Sequence, residues 1–142
     1  MTSSIIVEPD LGIRRLQRLI IRQVVGTDEI VEVRSIAEAL PIYASRHFNF
    51  AMVDISRPTD ELRELLEISR KKQRSPVIAF TTAAVTRETL QLLVSDHVFA
   101  VFPKPFDLEA VIESVGSALS AEKAGTLHPR FFGFLQRGEE EQ

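Results

Sequence analysis

Four stretches of the chain are apolar at nearly every position rather than at alternate ones: Ile5-Ile6-Val7, Phe50-Ala51-Met52-Val53, residues 76–80 and residues 98–102. Short runs of this kind fit strands buried on both faces, as in a parallel sheet covered by helices. A fifth stretch, residues 29–34, differs. Ile30, Val31 and Val33 are interleaved with acidic residues, which predicts a strand near the sheet edge. Between the strands the period lengthens. Ile13, Leu16, Ile20 and Val24 recur at helical spacing with arginines between them, after a capping Asp10 and before a stopping Gly26. Ser35-Ile36-Ala37-Glu38 has the capping-box pattern, so a second helix starts there, buries Ile36, Leu40 and Tyr43, and bends near Pro41. A third begins near Thr59 or Asp60, turns Leu62, Leu65, Leu66 and Ile68 inward, and closes on a basic run, which suits a helix C-terminus. A fourth is expected over 86–95, and a fifth from a cap at Asp107 to about Lys123. Five strand–helix units in sequence predict an α/β domain with a parallel sheet and right-handed crossovers.

Composition narrows the class. The 142 residues make one domain of ordinary globular composition, 44% hydrophobic and 26% charged. A net charge of −3 argues against a general nucleic-acid binder. Without cysteine there is neither a disulfide framework nor a thiolate metal site, and three scattered histidines offer no zinc site. The N-terminus lacks the basic and apolar regions of a signal peptide, and no apolar run is long enough to span a bilayer. A cytoplasmic location and no membrane partner are expected. The segment after Gly125 breaks the pattern. It carries Phe131-Phe132-Gly133-Phe134-Leu135 and then Glu139-Glu140-Glu141, and is expected to be partly disordered, with the aromatic cluster folding back or docking a partner.

The candidate chemistry lies where strands end. The run of residues 50–53 leads straight into Asp54, and the carboxyl edge of an open α/β sheet is where such folds place their ligands. Glu8-Pro9-Asp10, Thr81-Thr82 and Pro103-Lys104-Pro105 end three other strands and could gather at the same edge. A carboxylate attacking phosphorus needs cationic help, because nucleophile and target are both negative.

In this order the motifs resemble the receiver domain of two-component response regulators, of the chemotaxis-regulator type, over residues 4–122, with 123–142 as a C-terminal extension. The resemblance implies a flavodoxin-like, doubly wound (β/α)5 fold with strand order 2-1-3-4-5. It implies Asp54 as phosphoacceptor, Lys104 as a fixed positive charge and Thr81 as the hydroxyl that bonds a phosphoryl oxygen. Counting back from Lys104 selects Thr82 instead; an extra residue in the fourth helix would reconcile the two counts. A Mg²⁺ ion would be held by Asp54, by the backbone carbonyl of Ser56 and by the acids Glu8 and Asp10. The implied partners are a histidine kinase or phosphotransfer protein and a downstream protein, with a homodimer through helix four, strand five and helix five as a further option. Such a domain is a phosphorylated signalling module rather than an enzyme, apart from self-dephosphorylation.

Two positions depart from that pattern. Where the family has a second acid after strand one, this chain has Pro9, which offers no side-chain oxygen and weakens the expected Mg²⁺ site. Where the family has a Tyr or Phe that changes rotamer, this chain has Val101. Both motivate an alternative, a degenerate receiver that acts as a phosphorylation-independent interaction module. A third reading, a Mg²⁺-dependent phosphatase of another α/β family, would want an acid at Ser56 and does not find one.

Overall fold

The computed structural model describes residues 2–26, 28–55, 59–72, 76–82, 87, 98–103, 109, 111–113 and 116. Five strands form one parallel sheet: β1 (Ser3–Val7), β2 (Glu29–Val33), β3 (Phe50–Asp54), β4 (Val77–Thr82) and β5 (Val98–Pro103). Their order is β2-β1-β3-β4-β5. The expected α/β class, parallel sheet and strand order are therefore those observed. Helices α1 (Leu11–Val24), α2 (Ile36–Ser45) and α3 (Asp60–Lys71) connect the first four strands. Residues 87, 109, 111–113 and 116 are also helical, while the rest of the expected fourth and fifth helices and the whole of 123–142 lie outside the described residues.

Three of the four uniformly apolar stretches form the buried centre, and the fourth, β5, is one edge of the sheet. Ile5, Ile6 and Val7 of β1, Phe50 to Val53 of β3 and Ile78 to Phe80 of β4 are all shielded from solvent. β2 is the opposite edge strand and is only half-buried along its length. Its acids are held by arginines: Arg14 and Arg18 pair with Glu32, and Arg46 pairs with Glu29 at 2.7 Å. Charges on an edge discourage pairing with another strand.

Each helix starts on a side chain that the sequence marks. Asp10 Oδ1 accepts from Ile13 N at 2.9 Å, Ser35 Oγ from Glu38 N at 3.1 Å and Thr59 Oγ1 from Leu62 N at 3.1 Å. A cap of this type contributes about 1 kcal/mol. The Glu38 carboxylate reaches back to Arg34 N, one residue before the position a reciprocal capping box would use. Gly26, at φ +63°, follows the end of α1 in the left-handed region that glycine tolerates.

The inward face of α1 differs from the expected one. Gln17, Ile20 and Ile21 are buried with Val24 beside them, whereas Leu16 is exposed. At 100° per residue, Leu16 lies about 100° away from Gln17 and falls off that stripe. On the other face of the sheet, α2 packs against α3. The Tyr43 hydroxyl meets Ser69 Oγ at 2.5 Å, and Ser69 Oγ donates to the Leu65 carbonyl. At the basic end of α3 the exposed Arg70 and Lys71 pair with Glu67, and Lys72 Nζ donates to the Arg46 carbonyl at 2.7 Å. No helix among the described residues is long and apolar enough to cross a membrane.

Candidate functional site

The sheet register decides which polar residues meet at the carboxyl edge. Asp54 ends β3 directly opposite Thr81 of β4, and the Ile55 amide donates to the Thr81 carbonyl at 2.8 Å. Residues opposite one another in a ladder project to the same face. The Thr81 hydroxyl accordingly lies 3.4 Å from Asp54 Oδ1, a long hydrogen bond. Thr82 is also buried, but stands one residue further along β4 and so projects to the opposite face.

The ladder also locates a one-residue discrepancy. Ile78 pairs with Val98, yet the next residue, Ala79, pairs with Ala100, so β5 contains an additional residue at Phe99. An extra residue there shifts any count that runs backwards from Lys104 toward β4. Val101, at the position expected for an aromatic switch, is a buried core residue opposite Phe80.

A cleft of about 260 Å³ opens beside Asp54. Asp54 and Ile55 line one wall, Val7 and Pro9 another, and the starts of α2 and α3 contribute Ser35, Ile36, Thr59 and Glu61. Arg34 stands at its rim. Two helix N-termini facing one cleft favour an anion there through their partial positive charge. Sequence reasoning marked Ser35 and Thr59 as helix starts and not as part of the site. Their signal was present: a cap that follows a parallel strand necessarily stands at the strand's carboxyl edge.

The acids after β1 are arranged differently from Asp54. Glu8 is buried; its Oε2 accepts from Asp10 N at 3.0 Å, and its carbonyl accepts from Arg14 Nη1 at 2.9 Å. Asp10 spends Oδ1 on the α1 cap. Pro9, between them, is the residue of this turn that lines the cleft. Among the described residues no group of three His, Cys, Asp or Glu is placed to hold a metal ion. The donor chemistry of Asp54 with Glu8 fits only a Mg²⁺ ion that retains most of its waters, because Mg²⁺ is commonly held by one or two carboxylates. Asp10, as a helix cap, fits that set poorly. Lys104 and Ser56 lie outside the described residues.

No family model matches the sequence, and no curated protein matches it. Solved structures do. The CheY-like response regulator receiver domain protein from Methanospirillum hungatei JF-1 aligns with a TM-score of 0.73 at 22% identity, over 88% of this chain and 98% of that one. The response regulatory domain of mrkE from Klebsiella pneumoniae aligns at 0.71 and 17%, over 87% and 99%. The chain has the CheY-like receiver fold. A sensor protein from Polaromonas sp. JS666 is 28% identical, with a TM-score of 0.60 over 80% of this chain and 92% of that one. In this receiver fold the Asp54–Thr81 pair lies at the carboxyl edge of the sheet, beside the point where β1 and β3 lead to opposite sides. That topological switch point is where doubly wound sheets bind ligands.

Proposed function

We propose that this receiver-fold domain, residues 4–122, accepts a phosphoryl group on Asp54 from a histidine kinase or phosphotransfer protein. It then signals through protein–protein contacts, as a cytoplasmic phosphoacceptor module rather than an enzyme. One observation carries the reading: Asp54 ends β3 at a cleft flanked by two helix N-termini, with the Thr81 hydroxyl 3.4 Å from its Oδ1. In the proposed step an Asp54 carboxylate oxygen attacks the phosphorus of a phosphohistidine. The P–O bond forms as the P–N bond breaks, and the imidazole leaves. Thr81 then donates to a phosphoryl oxygen, and Lys104 is assigned the fixed positive charge by resemblance. Asp54, Glu8 and the Ser56 carbonyl would hold Mg²⁺, weakly because Pro9 adds no oxygen. When bound, the ion neutralises charge between carboxylate and phosphoryl oxygens.

The test is direct. The protein is incubated with acetyl phosphate over a range of Mg²⁺ concentrations and its mass is measured. A phosphoryl adduct is expected, absent in Asp54→Ala, and formed only at high Mg²⁺. No adduct at any Mg²⁺ concentration would sink the proposal.

The arrangement of the β1–α1 turn favours a second reading. Asp10 caps a helix, Glu8 is buried in the turn, and Pro9 faces the cleft. A degenerate receiver would keep the fold as an interaction module and dispense with phosphorylation. Under that reading Asp54→Asn leaves both conformation and partner binding unchanged.

A further inference from the structure

The solvent face of α1 has an unusual composition. Leu11, Leu16 and Leu19 are the three large apolar side chains that stand exposed among the described residues, and all are on this helix. The helix contains four arginines and no acid. Beside its N-terminal half a cleft of about 720 Å³ runs along β2 and the start of α2, lined by Leu11, Arg14, Arg15, Arg18 and Arg34. Glu32 and Glu38 answer only part of that charge. Arg14 and Arg18 share Glu32, Arg34 pairs with Glu38, and Arg15 makes no ion pair among the described residues. A ligand for this face must be both apolar and acidic.

The chain contains such a segment. Phe131, Phe132, Phe134 and Leu135 are followed, after Gln136-Arg137-Gly138, by Glu139, Glu140 and Glu141, so the segment has three acids against one arginine. It is also within reach. Gly116 is helical, and a Cβ placed on it would stand 3.6 Å from Val24 Cγ1, so the chain passes the C-terminal turn of α1 before residues 117–142 follow. From Val24 back to Leu11 the helix is about 20 Å long. Extended chain covers about 3.3 Å per residue, so the distance needs only a fraction of that segment.

We propose that residues 131–141 fold back along α1 of their own chain, with the phenylalanines against the exposed leucines and the glutamates in the arginine-lined cleft. Tethering raises the effective concentration of the segment to the order of mM, so even a weak contact is substantially occupied. Arg34 lines both this cleft and the one beside Asp54. The contact is independent of whether Asp54 is phosphorylated.

The absence of cysteine makes a clean test available. In the full chain, Gln136→Cys is spin-labelled and the ¹⁵N–¹H spectrum recorded at low concentration. Amides around Leu11, Arg15 and Leu19 are expected to lose at least about half their intensity relative to a diamagnetic label. Adding Glu139→Lys, Glu140→Lys and Glu141→Lys should restore most of it, as should about 1 M salt, which shortens the screening length to about 3 Å. Arg15→Glu with Arg22→Glu should do the same from the other side, with the remainder of the spectrum unchanged. Unbroadened α1 amides would overturn the proposal, as would broadening that survives charge reversal. Broadening in a mixture of unlabelled ¹⁵N protein with spin-labelled ¹⁴N protein would assign the face to a second copy and overturn it too.

Discussion

Two corners of the same sheet edge each present carboxylates, and they use them in opposite ways. At the β3–β4 corner the strand ladder does the positioning. Backbone pairing sets Asp54 opposite Thr81, and Asp54 lines a cleft. At the β1–α1 corner the carboxylates themselves build the backbone. Glu8 holds the Asp10 amide and Asp10 holds the start of α1. An acid that spends one oxygen on a turn has fewer lone pairs to offer a ligand, so Glu8 can be only a weak donor and Asp10 a poor one. The number of acids near a site therefore overstates the number of donors in it.

The comparison breaks most severely if the β3–β4 corner loses its support. Phe80 precedes Thr81 and is fully buried. Phe80→Ala removes a core aromatic and leaves a cavity, at a cost of about 3–5 kcal/mol. Chemical denaturation should show that loss. If the variant stays folded, its Asp54 should accept phosphoryl groups less well, whereas the α1 cap should hold. A cost below about 1 kcal/mol would mean that the corner does not rest on this side chain.

The next effect concerns the helix pair whose N-termini flank the cleft. The hydroxyl of Tyr43 in α2 meets Ser69 in α3, and burial pushes it up to about 12 despite the bond to Ser69, which favours ionisation. The folded value lies above the unfolded one near 10, so the neutral phenol stabilises the fold fully below pH 10. That contribution is lost as pH rises through 12. Two units correspond to about 2.7 kcal/mol. Alkaline denaturation of the wild type should be steeper over this window than that of Tyr43→Phe, whose Ser69 retains the Leu65 carbonyl as partner. Parallel curves would show that Tyr43 does not hold the two helices.

How much of this was legible beforehand depends on how many roles a residue type can play. Residues 50–53 and 76–80 could hardly be anything but buried strands, so the parallel sheet followed from their apolar runs. Asp54 stood out because a charge after such a run must lie at the strand's end. Asp10 was ambiguous, since a cap and a metal ligand call for the same side chain, and the hydrogen bond to Ile13 shows the cap. Helical spacing groups Leu16 with Ile13, Ile20 and Val24, but a buried Gln17 rotates the inward stripe away from it. The two threonine counts conflicted because sequence spacing could not place the extra residue. The ladder shows one extra residue in β5 at Phe99, while the expected fourth helix lies almost wholly outside the described residues.

Pro9→Asp sharpens the contrast directly. It adds to the cleft the carboxylate that the β1–α1 corner withholds, without removing Glu8 or the Asp10 cap. If Asp54 is a phosphoacceptor limited by weak cation binding, the Mg²⁺ concentration for half-maximal phosphorylation should fall by on the order of tenfold, equivalent to about 1.4 kcal/mol. Calorimetric titration of Mg²⁺ should move by a similar factor. If neither changes, the limitation lies elsewhere and the degenerate-receiver reading gains.

The smallest effect tests the β3–β4 corner at its single hydrogen bond. Thr81→Val replaces the hydroxyl with a methyl of similar size, so packing is largely preserved. At 3.4 Å the bond to Asp54 is weak, and Asp54 is only partly buried and can turn to water. Thermal stability should therefore change by less than about 1 kcal/mol. The phosphoryl adduct should be affected more, because the hydroxyl would donate to an oxygen that carries charge only after transfer, and bonds to charged groups are stronger, at about 1.5–3 kcal/mol. Thr82→Val is the control, since its side chain projects from the opposite face of β4. A loss of adduct in Thr81→Val but not in Thr82→Val would assign the hydroxyl. Equal losses would mean that packing at the end of β4, rather than a donor aimed at Asp54, controls the site.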